Sequence, residues 1–297
     1  MPKTRVVRSM SWYRKRSSIK DSDYEAFSLR ISAIRKKRPY DELPCADAPI
    51  VWQRISSGYR IIDLGLNRFI QALQFVLTHF CTTEPLNHVS GLFDDAVSMR
   101  MMMHRATTKM ESMLSFCAIE EGTNEFVGVL IATIFQKSQW SMEEAHGEAS
   151  RHIMKLKLHA IAKANFFETI DAEKSVCIDI LCVKTDHQKK GIGTALMRSC
   201  IARASDIASA CVAQFTSSAA QTIAKRLEFE VIYELPYKDI GFENVKFQQF
   251  EALYPEHYSI ACMALRLSPP ELPAQPIEEI PQPKAEKKKA KRKKRKT

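Results

Sequence analysis

The stretch Gln188-Lys189-Lys190-Gly191-Ile192-Gly193-Thr194-Ala195-Leu196 carries the clearest chemical pattern in the chain. It follows the near-continuous apolar run Val176–Val183 and the polar turn Lys184-Thr185-Asp186-His187. It leads into a segment with Ile192, Ala195, Leu196 and Cys200 on one helical face. Strand, glycine turn and helix start together make an anion site. The first N–H groups of a helix have no partner inside it, and the peptide dipoles add positive potential there. Gly191 and Gly193 would let the backbone come close to a pyrophosphate, and Lys189 and Lys190 could add charge. Two other phosphate loops are excluded. A dinucleotide fingerprint needs glycine where Leu196 stands, and GxxxxGK[ST] does not occur.

A second candidate is Asp179, the only charge in Val176–Val183. A lone carboxylate in a buried strand is unusual. It reads either as a proton acceptor or as a paired structural acid. The eight histidines pair with no nucleophile in the sequence, and Cys182 reads as a buried structural thiol. The eight cysteines form no CxxC pair, so they read as reduced thiols, and no metal site is expected.

The elements that must hold these residues follow from apolar periodicity. Strands are expected at Tyr59–Leu66, Met113–Ile119, Phe126–Phe135, Val176–Val183, Ala210–Phe215, Phe229–Leu235 and Ser259–Leu267. Helices are expected at Arg68–Phe80, Asp94–Met110, Glu148–Ile170, Gly191–Ile207 and Ser217–Leu227. Glu84-Pro85-Leu86-Asn87 reads as a loop, and Glu120–Glu125 as a hairpin turn. The order gives an α/β fold, a mixed central sheet with flanking helices. One domain is expected over 51–268, with structure beginning near Tyr59. It lies between a basic, mostly disordered arm (1–50) and a disordered Pro/Glu then Lys/Arg-rich tail (269–297).

Charge is unevenly spread. Residues 1–40 hold 12 Lys/Arg against 3 acids, and residues 284–297 hold 10 against 1. The net charge is +10, so the body between them is acidic. Lys287–Lys296 suits a nuclear import receptor or direct contact with nucleic acid, a polyanion in either case. Without interleaved aromatics it does not suit base stacking. The basic first twenty residues also fit a mitochondrial address, so the compartment reads as cytoplasmic, nuclear or mitochondrial. No run reaches the 18 or so apolar residues of a membrane span.

The pattern Q/R-x-x-G-x-G/A directly after a strand resembles motif A of the Gcn5-related N-acetyltransferase (GNAT) superfamily, here Gln188 to Gly193. Leu227–Ile240 ("LEFEVIYELPYKDI") and Glu84–Asn87 look like the arylalkylamine N-acetyltransferases of insect and nematode type. The likeness runs from Tyr59 to Leu267 and is scattered outside motif A. It implies acetyl-CoA as co-substrate, no metal, a small primary amine as acceptor and a monomer. It implies that Gln188 to Thr194, with Ile192 among them, hold the pyrophosphate. Leu181, Cys182 and Val183 would lie beside the thioester, with the Val183 N–H as oxyanion donor. Ser217 would contact the cofactor, and Glu84 would be the base, acting through water.

The same resemblance leaves gaps. A tyrosine acid common in the superfamily falls at Ala224, and the two serines of the insect-type enzymes fall at Thr216 and Ala220. Glu228 replaces a usual glycine. Two other readings remain open: a nuclear acetyltransferase acting on protein lysines or N-termini, and a non-catalytic acetyl-CoA-binding protein.

Overall fold

The computed structural model describes residues 49–136 and 145–239, several short stretches from 241 to 267, and a few positions between 22 and 33. Residues 269–297, including Lys287–Lys296, lie outside the described residues, as does most of 1–48.

A hairpin opens the fold: β1 (Val51–Ile55) pairs with β2 (Tyr59–Asp63). The first of these strands was not expected. Helix α1 (Phe69–Phe75) continues through a π turn, Val76–Phe80. Next comes α2 (Pro85–Val89), which corrects the loop expected at Glu84–Asn87. Proline at the first helical position costs no hydrogen bond, and the Glu84 side chain caps the helix through the Asn87 N–H. Helix α3 (Ala96–Met110) follows, then the antiparallel pair β3 (Phe116–Glu120) and β4 (Phe126–Gln136).

The single helix expected over Glu148–Ile170 is two, α4 (Glu148–Ala164) and α5 (Phe166–Ile170). Asn165 breaks them apart with a left-handed φ of 45°. Strand β5 (Lys174–Val183) leads through the glycine turn to α6 (Ile192–Ser205). After it come β6 (Ala210–Phe215), α7 (Ser218–Arg226) and β7 (Glu230–Pro236). A short pair, β8 (Gly241–Phe242) and β9 (Val245–Lys246), precedes β10 (Ser259–Arg266).

The main sheet runs β1-β2-β3-β4-β5-β6-β10-β7. Among the described strands only β5 and β6 are parallel. Side chains alternate between two cores. One, against α1, α3 and α4, holds Val129, Ile131, Ile180, Cys182, Met103 and Leu156. The other, against α6 and α7, holds Val127, Leu130, Ile178, Leu196, Cys200 and Ala224. Asp95 ties α3 to α4: its carboxylate accepts from the Val97 and Ser98 N–H groups and from Ala149 N–H. These helices meet closely at Gly147, where φ is +90° and an added Cβ would lie 2.2 Å from Ser98 Oγ.

The basic arm is not wholly unstructured. Helical positions occur between residues 22 and 33, and Arg30 pairs with Glu111 at 2.7 Å beside the end of α3. No helix among the described residues is long and apolar enough to cross a membrane.

Candidate active site

The site begins where the sheet divides. Parallel pairing of β5 with β6 runs from Ser175↔Ala210 to Ile178↔Ala213 and stops. Beyond that point β5 stays with β4 as far as Val183, while β6 stays with β10 as far as Phe215. The two strands part like a V. Asp179 marks the fork: it is the extra residue of a bulge, since Ile131 faces Ile180 and Ala132 faces Ile178.

Alternation then decides which amides face the gap. The Lys184 N–H donates to Val127 O on the β4 side, at 2.9 Å. The N–H groups of Val183 and Leu181 therefore turn toward the opened side, and that of Cys182 turns toward β4. Two of the three strand residues expected beside a thioester thus offer amides to the gap. Cys182 lends its side chain to the core instead. It is 7% exposed, and burial pushes its thiol up to about 12, so it is a neutral thiol at physiological pH.

The turn after β5 is tied down from several directions. Gln188 Nε2 donates to Val183 O at 3.1 Å, so this side chain braces the turn against the strand. Ser57 Oγ donates to Lys190 O at 2.8 Å, which gives the β1–β2 hairpin a purpose. Lys190 Nζ lies 3.2 Å from Tyr59 Oη and over that ring, so its charge is held at the hairpin. Lys189 is exposed, in left-handed backbone at φ 60°. Gly191 caps α6 at φ 84°, a conformation that costs other residues about 1–2 kcal/mol. Gly193 serves packing: an added Cβ would stand 3.0 Å from Ile223 Cδ1 on α7. The side chain of Ile192 is buried in the α6 core, and Thr194 is half-buried. Ala195 N–H closes the first helical bond to Gly191 O, leaving the amides of Ile192, Gly193 and Thr194 at the helix start.

On the opposite face of the sheet from α6 lies a cavity of about 360 Å³. It is bounded by β5 and β6 at the fork and by α3 and α4 above, with Phe80, Met102, Phe135 and Met154 among its walls. Asp179 lines it, but both its oxygens are engaged: Lys109 Nζ at 2.5 Å and Thr133 Oγ1 at 2.7 Å. Burial lowers the Lys109 pKa, yet the Asp179 charge and hydrogen bond outweigh that and leave it raised. The geometry is that of a paired structural acid.

Glu84 does not line this cavity, but its partner Asn87 does. Glu84 is 9% exposed; its Oε2 accepts the Asn87 N–H at 2.7 Å and its Oε1 the Thr216 hydroxyl at 2.5 Å. Tyr237, which sequence reasoning passed over, donates its hydroxyl to Thr216 O at 2.7 Å. Burial, and then the Glu84 charge, push the Tyr237 pKa upward, so it stays protonated. Ser217 caps α7 by accepting the Ala220 N–H at 3.3 Å. Glu228 holds left-handed backbone at φ 66°, a conformation that glycine adopts without strain.

Sequence reasoning also missed Lys109, Thr133 and Lys157, all of which line the cavity. Lys157 had a signal: it sits at helical spacing with Ile153, Met154, Ala160 and Ile161 on the apolar stripe of α4.

Comparison with known proteins accords with this architecture. The acetyltransferase (GNAT) family model matches residues 94–227. No curated protein sequence matches the chain. A protein of the yellow fever mosquito Aedes aegypti, named as an insect arylalkylamine N-acetyltransferase 7, superposes with a TM-score of 0.68 at 24% identity, covering 76% of this chain and 98% of its own. Arylalkylamine N-acetyltransferase 2 of Aedes aegypti gives 0.64 at 20%, covering 71% and 99%. A Drosophila melanogaster polyamine N-acetyltransferase gives 0.58 at 16%, covering 70% and 100%. At such identities the likeness establishes the fold. The family match spans the forked strand, the glycine turn and α6, and leaves Glu84 before it. The chain therefore carries a domain of the acetyltransferase (GNAT) family, whose enzymes are acetyl-CoA-dependent acyltransferases.

Proposed function

We propose that this protein transfers the acetyl group of acetyl-CoA to a small primary amine with an arylalkyl skeleton, by direct attack with both substrates bound. The parting of β5 from β6 beyond Ile178↔Ala213 carries this reading, because it opens the sheet where the cavity lies on one face and β5 runs on to the glycine turn. The residues present suit acetyl-CoA. The amides of Ile192, Gly193 and Thr194 would receive the pyrophosphate, and the Leu181 N–H the pantetheine arm.

An alkylammonium has a pKa near ~10, so it must lose a proton before it can attack. Glu84 takes that proton through water, since its carboxylate is not itself among the residues that line the cavity, whereas its partner Asn87 is. The Val183 N–H donates to the acetyl oxygen as negative charge builds there. As the C–N bond forms and the C–S bond breaks, the nitrogen gives up its second proton to water and CoA departs as a thiolate. It needs no acid at position 224, where alanine stands, and Tyr237 is committed to Thr216 O.

A cavity of about 360 Å³ is the size of a small-molecule site, which favours a small amine over a polypeptide lysine. The test is mass spectrometry of the products after incubating the protein with acetyl-CoA and tryptamine, dopamine, octopamine, spermidine or a lysine-rich peptide. Acetylated small arylalkylamines support the proposal; acetylation of the peptide alone replaces it with the protein-directed reading.

A further inference from the structure

Arg105, Lys109 and Lys157 line the cavity together with Asp179, and the Glu84 carboxylate also acts on Lys157. Lys109 and Asp179 satisfy each other. Lys157 is different. It is only partly exposed, and among the described residues no hydrogen bond or ion pair holds its ammonium. Loss of hydration lowers its pKa; Glu84 and Asp179 act against that, and Arg105 and Lys109 add to it. An ammonium in such a place lacks a partner that burial ordinarily demands.

The remaining walls are apolar and aromatic, with Phe80, Met102, Phe135 and Phe166 among them. A ligand matched to these walls has an apolar ring and an anionic group. A second ammonium, as in a polyamine, would meet like charges here. We propose that the acceptor of this site is an arylalkylamine that also carries a carboxylate, with Lys157 receiving the acid group. Naming that ligand an acceptor rests on the acetyl-transfer reading; the charge of the cavity does not.

A charge-assisted hydrogen bond in a desolvated site is worth about ten-fold or more in affinity. The experiment is titration calorimetry of the full chain, saturated with CoA, with tryptophan against tryptamine and phenylalanine against phenethylamine. The expected result is that each acid binds at least about ten-fold tighter than its decarboxylated partner. In Lys157→Met that preference falls to within about two-fold, with tryptamine bound as before, and Lys157→Arg restores part of it. The proposal is overturned if the decarboxylated amines bind wild type as well as the acids do, or if neither binds. It is overturned too if a folded Lys157→Met loses both equally; should that variant not fold, the wild-type comparison alone decides. Thiol release is scored separately. Acid-selective binding without thiol release would overturn acetyl transfer and leave this inference standing, whereas release with tryptamine and no preference for tryptophan would do the reverse.

Discussion

The Thr216 hydroxyl donates to Glu84 Oε1 at 2.5 Å, joining the end of β6 to a residue 132 positions earlier at the start of α2. Together with the Asn87 N–H, it holds the carboxylate in one orientation. Glu84→Gln keeps the shape and removes the base, so kcat/KM should fall by about 10²–10⁴. Thr216→Val should cost about 1–3 kcal/mol in urea unfolding, because it leaves a buried carboxylate oxygen short of a donor. Equal activity of Glu84→Gln and wild type would remove Glu84 from the chemistry.

The Lys109–Asp179 pair separates structural from catalytic work at the fork. Lys109→Met strands a largely buried carboxylate and should destabilise the fold by about 3–5 kcal/mol. Asp179→Asn with Lys109→Met should recover a good part of that, a coupling that a double-mutant cycle reads directly. If Asp179→Asn leaves stability untouched and abolishes turnover, Asp179 is the proton acceptor after all.

Acid should loosen the junction of α3 and α4. Burial works to raise the Asp95 pKa, but hydrogen bonds from Ser98, Ala149 and Val97 outweigh it and bring the value to about 2. A depressed carboxylate pKa contributes stability in full above the unfolded value near ~4, and the contribution fades as pH falls toward 2. Asp95→Ala should therefore lose about 1–2 kcal/mol at pH 7 and little near pH 2. Thermal unfolding at a series of pH values tests this, and a constant difference across the series would refute it.

Two turns should respond oppositely to glycine chemistry. Glu228 holds φ 66° without a glycine, so Glu228→Gly should stabilise by about 1 kcal/mol. Gly147→Ala should destabilise strongly, because its Cβ would meet Ser98 Oγ at 2.2 Å and Ser98 N at 2.5 Å. Chemical denaturation of both variants checks the pair.

Much of this was legible in the residues. Val176–Val183 followed by Gln188–Leu196 announces strand, turn and helix start, and β6, α7, β7 and β10 fall where their periodicity puts them, while the short β8–β9 pair was not expected. The misses have physical reasons. Val51–Ile55 mixes polar and apolar residues and lies at the sheet edge, where little burial imposes a pattern. Pro85 reads as a breaker, yet at the first position of α2 it favours the helix that Glu84 caps. That β5 parts from its neighbour is implied by the family resemblance; the residue at which it does so is not legible, since pairing partners are not written in a single strand. Lys157 could have been found as the one lysine on the apolar stripe of α4 with Ile153, Met154 and Ala160.

Amine-dependent thiol release from acetyl-CoA by the full chain, wild type beside Glu84→Ala, tests acetyl transfer most directly. The predicted result is steady release with at least one arylalkylamine, falling about 10² or more in Glu84→Ala while acetyl-CoA still binds both proteins. Tight binding of acetyl-CoA with no release in the presence of any amine would contradict it, and would make the chain an acetyl-CoA-binding protein without turnover.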